Sequence, residues 1–237
     1  IRIAEPDVQT MAQEFDGELA VDVKDLIRRA DVVAIGPGLG REPGRAAFVL
    51  AVLELAKAAV IDADALTVLK GERDALARLA ATRPIVCTPH IGEFRTLFPE
   101  CAVDLETAPW DAALHAARVS GAVVLLKGVP TIVASPDGRS LTVGAGNPGL
   151  ATGGSGDVLT GIIAALIGQE LAPLDAAAAG AQAHGDAADI AARRVTARAM
   201  RPMDVVAGLQ DVWRAWGRGG ALHRAPILLD LPAPAAV

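Results

Sequence analysis

The chain has 237 residues, 22 Lys and Arg against 28 Asp and Glu, a formal net charge of -6, and 52% hydrophobic but only 3% aromatic residues. Such a length buries one substantial core, here filled by Ala, Val, Leu and Ile, and the acidic balance argues against a surface that grips nucleic-acid phosphates. No apolar run reaches the roughly 18 to 20 residues of a membrane helix, so the expected partner is a small molecule, with no nucleic acid and no membrane.

In chain order, Ile1–Pro6 reads as the end of a strand, and Asp31–Ile35 as a short buried one. The turn Gly36-Pro37-Gly38-Leu39-Gly40 follows, either admitting a ligand close to backbone amides or simply reversing the chain. Its spacing is not the G-x-G-x-x-G of dinucleotide folds, which disfavours an ordinary NAD-dependent dehydrogenase. Arg45–Lys57 is a helix and Ala59–Ile61 the next strand. Asp62 and Asp64 then place two carboxylates at a strand end, able to organise a hydrated Mg²⁺ or to cap a helix, capping being expected of at least one.

Ile85–Cys87 is a further strand, closed by Thr88-Pro89-His90-Ile91-Gly92-Glu93. An imidazole and a carboxylate lie there on a turn entering a helix, a pattern that also serves as a cap. A zinc site is not expected, because His115, His184 and His223 show no ligand spacing. Cys87 and Cys101 form neither a metal-ligand spacing nor a disulfide framework and fit a reducing cytoplasm, the expected location, with no signal peptide visible. Thr107–Ser120 is a helix and Val123–Leu126 a strand ending in Lys127-Gly128-Val129-Pro130-Thr131. Lys127 could neutralise nucleotide phosphates there, or snorkel from the sheet end.

The strands Thr131–Ala134 and Ser140–Val143 flank the turn Ser135-Pro136-Asp137-Gly138, an expected hairpin at the sheet edge. Helices Asp157–Ile167, Leu174–Arg193 and Met203–Trp216 follow, then a loosely ordered tail, residues 219–237. Strands alternating with helices imply right-handed crossovers and a mostly parallel sheet, with ligands beyond the carboxyl ends of its strands.

The most specific segment is Asn147-Pro148-Gly149-Leu150-Ala151-Thr152-Gly153-Gly154-Ser155-Gly156-Asp157, leading into an apolar helix. Amides at Gly154, Ser155 and Gly156 make an anion hole at the positive end of the helix dipole. Asp157 beside them is counterproductive for plain phosphate binding. It makes sense as a base for a hydroxyl that attacks a phosphoryl group, the alternative being a helix-start residue.

Together, Gly36–Gly40, Asp62–Leu66, Thr88–Glu93, Lys127–Thr131 and Asn147–Asp157, with His184-Gly185, resemble the NAD(P)H-hydrate dehydratase family of the ribokinase-like superfamily over about Asp31 to Asp204. The resemblance implies a three-layer α/β fold over residues 1–218, beginning after the family's first strand and helix. It implies dehydration of hydrated NADH or NADPH, with ADP or ATP as co-substrate and Mg²⁺ as cofactor. Gly38, His90 and Asp157 would contact the hydrated coenzyme, with Asp157 catalytic. Lys127, Gly128, Val129, Pro130, Thr131 and Gly156 would contact the nucleotide, and Glu93 matches a position associated with Mg²⁺. A homotetramer is implied as well. The rivals are a ribokinase-like kinase for a small alcohol of the thiazole or hydroxymethylpyrimidine type, disfavoured by His90, and a non-catalytic nucleotide-binding module.

Overall fold

Runs of three or four aliphatic residues build the centre of the molecule. In the computed structural model they are β1 (Val33–Ile35), β2 (Ala59–Ile61), β3 (Ile85–Cys87), β4 (Val123–Leu126), β5 (Thr131–Ala134) and β6 (Ser140–Val143). They form one sheet in sequence order, β1 to β4 parallel, with β5 and β6 antiparallel at the edge. The expected parallel sheet and hairpin are both present. The structure describes residues 19–103 and 105–218; the strand end at Ile1–Pro6 and the tail, residues 219–237, lie outside the described residues.

Strand periodicity divides the core in two. Ala59, Ile61, Ile85, Cys87, Val124 and Leu126 face one layer, while Val60, Val86, Val123 and Leu125 face the other. Right-handed crossovers between successive neighbours keep their helices on one side. That side carries α1 (Val21–Arg29), α2 (Arg45–Leu55), α3 (Ala63–Val68), α4 (Arg73–Ala80), α5 (Ile91–Leu97) and α6 (Pro109–Ser120). The opposite face is covered by α7 (Ser155–Gly168) and α8 (Pro173–Val195), and α9 (Pro202–Gly217) packs outside α8. Each fully buried Val, Ile or Leu of the sheet contributes about 1.5 to 3 kcal/mol.

The scarcity of aromatics reflects how α8 is packed. Ala176, Ala177, Ala183, Ala187 and Ala188 are completely buried. A Cβ on Gly208 of α9 would stand 2.6 Å from the Ala187 carbonyl oxygen, so the two helices approach backbone to backbone. Several expected boundaries shift by one or two residues, two of them for a visible reason. Ala56 is extended (φ -70, ψ 141), so α2 stops before Lys57. Asp31, expected in β1, is exposed and pairs with Lys57 at 3.0 Å.

Candidate active site

The carboxyl ends of β1, β2, β3, β4 and β6 lie at one edge of the sheet, and the polar and glycine-rich segments all follow them. After β1, Gly36 has φ +133 and any Cβ there would fall 1.7 Å from the Asp62 carbonyl oxygen. Only glycine fits this close crossing. The same loop is tied down by Asp64, whose Oδ2 accepts from the Gly40 amide at 3.0 Å and whose Oδ1 accepts from Arg41 Nε at 2.6 Å. The Arg41 guanidinium holds the Asp64 carboxyl below the usual carboxylate range.

Asp62 does not take the capping role. It stands at the N-cap position of α3 yet makes no side-chain cap. Its carboxylate is 1% exposed and accepts from Lys127 Nζ at 2.7 Å and from Thr160 Oγ1 of α7 at 2.8 Å. Lys127 therefore does not snorkel: it is the counter-ion of a buried carboxylate. Its ammonium is also 3.7 Å from Glu93 Oε2. A Cβ on Gly156 would lie 3.3 Å from Asp62 Oδ2 and 3.4 Å from Lys127 Nζ, so the first turn of α7 abuts this ion pair.

His90 forms a capping box. Its Nδ1 accepts from the amides of Gly92 (2.9 Å) and Glu93 (3.2 Å), while Glu93 Oε2 accepts from the His90 amide at 2.8 Å. Nδ1 is thus the unprotonated nitrogen, and the hydrogen of the neutral ring sits on Nε2, 3.4 Å from Glu93 Oε1. The ring remains 60% exposed on the cleft wall, so capping and ligand contact are compatible. His90→Ala is expected to cost about 1 kcal/mol of stability through the lost cap. The coenzyme contact that the resemblance implies for His90 further predicts a KM for hydrated coenzyme raised more than that for nucleotide; equal changes in both, read from initial rates, would leave His90 with the cap alone.

His90 and Lys127 are bridged as neighbouring strand extensions, with the Lys127 amide donating to the Pro89 carbonyl at 2.8 Å. Between them and α7 opens a cleft of about 690 Å³, lined by His90, Lys127 to Thr131, Val143 to Pro148, Leu150 to Thr152, Ser155, Gly156, Leu159 and His184. The glycine-rich segment is anchored by Asn147, which donates to Asp189 Oδ1 at 2.9 Å and accepts from the Gly149 amide at 3.0 Å. Of the expected anion hole, the Ser155 amide donates to the Thr152 carbonyl at 3.2 Å. Gly156 and Asp157 follow it in the first turn of α7, where a helix leaves its leading N–H groups without internal partners.

The structure thus gathers His90, Lys127 to Thr131, Ser155 and Gly156 around one cleft. Gly38, Glu93, Gly154 and Asp157 lie outside its lining, Asp157 being exposed beside Gly156 at the rim. Burial pushes the Cys87 thiol up to about 12 and the Cys101 thiol up to about 11, which leaves neither a nucleophile.

Sequence reasoning gave His184 no role in the cleft. Its residue is 6% exposed, and burial pushes the imidazole down to about 4 from its ordinary 6.5. The unfolded chain takes up this proton as pH falls through 6.5, whereas the folded chain resists it until about 4. The neutral ring's contribution is therefore complete above 6.5 and lost across that window, worth about 3 kcal/mol. Urea unfolding at pH 7 and pH 4.5 should show it as a pH-dependent difference between the parent and His184→Leu, and parallel losses in both chains would contradict it.

Comparison with known proteins gives a consistent result. The family model described as NAD(P)H-hydrate dehydratase matches residues 2–211. The bifunctional NAD(P)H-hydrate repair enzyme of Moorella thermoacetica is 45% identical over 203 residues, covering 84% of this chain and 38% of that protein. The chain therefore spans well under half the length of that relative. A solved ADP/ATP-dependent NAD(P)H-hydrate dehydratase from Bacillus subtilis, co-crystallised with ATP/Mg²⁺, superposes with a TM-score of 0.68 at 29% identity, covering 81% of this chain and 69% of that one. A ribokinase-like superfamily protein from Enterococcus faecalis does so with a TM-score of 0.68 at 28% identity, covering 82% and 66%. The three-layer α/β fold is ribokinase-like, as expected.

Proposed function

The chain belongs to the NAD(P)H-hydrate dehydratase family, and from that premise we propose that it restores NADH or NADPH from their 6-hydroxy hydrates, using the terminal phosphoryl group of ADP or ATP. The observation that carries this reading is the first turn of α7, where Gly156 abuts the Lys127–Asp62 pair on a cleft that His90 also lines. A turn of free amides beside a lysine suits a transferring phosphoryl group, and a neutral ring across the cleft suits a nicotinamide-derived substrate.

The chemistry follows from hydroxide being a poor leaving group. Asp157 takes the proton of the C6 hydroxyl, whose oxygen attacks the terminal phosphorus. The bond between that phosphorus and the nucleotide breaks, and AMP or ADP departs. The lone pair of the ring nitrogen then expels phosphate from C6, and loss of a C5 proton to solvent restores the double bond. The amides around Gly156 and the Lys127 ammonium hold the phosphoryl oxygens through these steps.

A divalent cation fits this site by charge. Asp62, Glu93 and Lys127 sum to one negative charge where a polyphosphate must dock. Glu93 Oε2 is engaged by the His90 amide, so Mg²⁺ would be reached through water and the nucleotide phosphates. Among the described residues no group of three or more His, Cys, Asp or Glu could hold a metal by itself. When bound with the nucleotide, Mg²⁺ would supply neutralisation of the phosphate charge.

A homotetramer working in the cytoplasm is the assembly we attach to this reading. No helix of the described residues is long and apolar enough to cross a membrane. Met203, Val206 and Trp213 are exposed along one side of α9, a surface that a second copy could cover.

The test of function is incubation with hydrated NADH, Mg²⁺ and either ADP or ATP, following recovery of the nicotinamide absorbance. Recovery that requires one of the nucleotides is expected; no recovery with either counts against the proposal.

A further inference from the structure

His184 is a polar ring set into a face of α8 whose neighbours Ala183, Ala187 and Ala188 are completely buried. Its depth is fixed by the next residue, since a Cβ on Gly185 would stand 2.5 Å from Ala145. A buried imidazole is costly unless it is hydrogen-bonded. Its Nε2 lies 3.3 Å from Ser155 Oγ, the first residue of α7, itself only 4% exposed. Both residues line the cleft beside Gly156.

A serine and a histidine in one cleft invite the reading of an activated nucleophile. The chemistry of the ring decides against it. Burial and the nearby Lys127 ammonium hold the imidazole at about 4, too weak a base to take a serine proton at neutral pH. The contact between Nε2 and Oγ runs either way with the ring's tautomer; with the hydrogen on Nε2 the imidazole donates to Ser155, and the Ser155 hydroxyl keeps its own hydrogen for a group in the cleft.

We propose that His184 carries its hydrogen on Nε2 and is a positioning residue, holding Ser155 so that its hydroxyl stands beside the Gly156 amide as a further donor to the phosphoryl group of the bound nucleotide. This rests on the proposed reading of the cleft as a nucleotide site. The pair explains why a buried histidine sits among alanines. It also gives the anion hole a replacement for the Ser155 amide, which the preceding turn consumes.

The experiment is calorimetry with ADP and Mg²⁺ on the whole chain, alongside the thermal midpoint of each variant. Ser155→Ala and His184→Leu should each weaken ADP binding by about 10-fold, the size of one hydrogen bond to a charged group. The double variant should bind no worse than the weaker single one, because both act through one contact. His184→Gln, whose side-chain amide can still donate, should stay within about 2-fold of the parent whatever its thermal midpoint. Effects that multiply in the double variant, Ser155→Ala binding like the parent, or His184→Gln as impaired as His184→Leu would each overturn the proposal. A parent chain that shows this pattern with ADP yet fails to restore hydrated NADH removes the dehydratase reading and leaves the pair in place. A parent that restores hydrated NADH while the two effects multiply removes the pair alone.

Discussion

Asp157→Asn is expected to lower turnover of hydrated coenzyme by about 10²- to 10⁴-fold while both substrates still bind. Asp157 is exposed in the first turn of α7, directly after Gly156 and outside the cleft lining. The amino end of a helix favours a negative charge, so a carboxylate is tolerated there without a partner cation. Asparagine keeps the shape and most of the hydrogen bonding but cannot take the hydroxyl proton. In the proposed reading the binding contacts lie elsewhere, on Lys127, Gly156 and His90, so nucleotide and hydrate affinities should stay close to the parent values. Turnover and binding measured on one preparation separate the roles. A variant that turns over like the parent would leave Asp157 as a helix-start residue only.

Lys127→Ala should produce two separable losses. Nucleotide binding weakens by about 1 to 3 kcal/mol, the usual size of a charge-assisted contact. Folding stability falls as well, because Asp62 is 1% exposed and would keep Thr160 alone as a partner. Removing one member of a buried pair commonly costs about 3 to 5 kcal/mol through the charge left behind. Adding Asp62→Asn to Lys127→Ala should therefore return much of the stability and none of the nucleotide affinity. Urea unfolding and calorimetry on the three variants check this. Full stability in Lys127→Ala alone would mean that Asp62 does not depend on Lys127.

Much of the fold was legible because its signals are local. The strands Ala59–Ile61, Ile85–Cys87 and Val123–Leu126, with both hairpin strands, stand where short apolar runs bounded by turn residues put them. Two helices were not foreseen. α1 buries only Ile27 among the nine residues Val21–Arg29 and starts at Ala20 without a side-chain cap. α4 buries only Ala75 and Leu76 and likewise lacks a cap. Short helices with so little apolar face and no capping signal owe their existence to packing against the layer beneath them.

The candidate site divides in the same way. His90 with Glu93, Lys127 and the approach to Asp157 were visible because each lies within one short segment after a strand. The Asp62–Lys127 pair spans 65 residues and the Thr160–Asp62 bond 98, separations over which a single sequence carries no signal. The His184–Ser155 contact depends on how two helices cross, and the zinc-ligand spacing considered for His184 was the wrong criterion.

In the proposed reaction the hydroxyl oxygen of the hydrate leaves as part of phosphate. Hydrated NADH carrying ¹⁸O in its C6 hydroxyl, turned over with unlabelled ADP or ATP and Mg²⁺, tests it directly. Mass analysis of the inorganic phosphate should find the label there, one phosphate and one AMP or ADP for each NADH restored. Label released into water, with the nucleotide intact, would contradict phosphoryl transfer to the hydroxyl and with it the role given to this cleft.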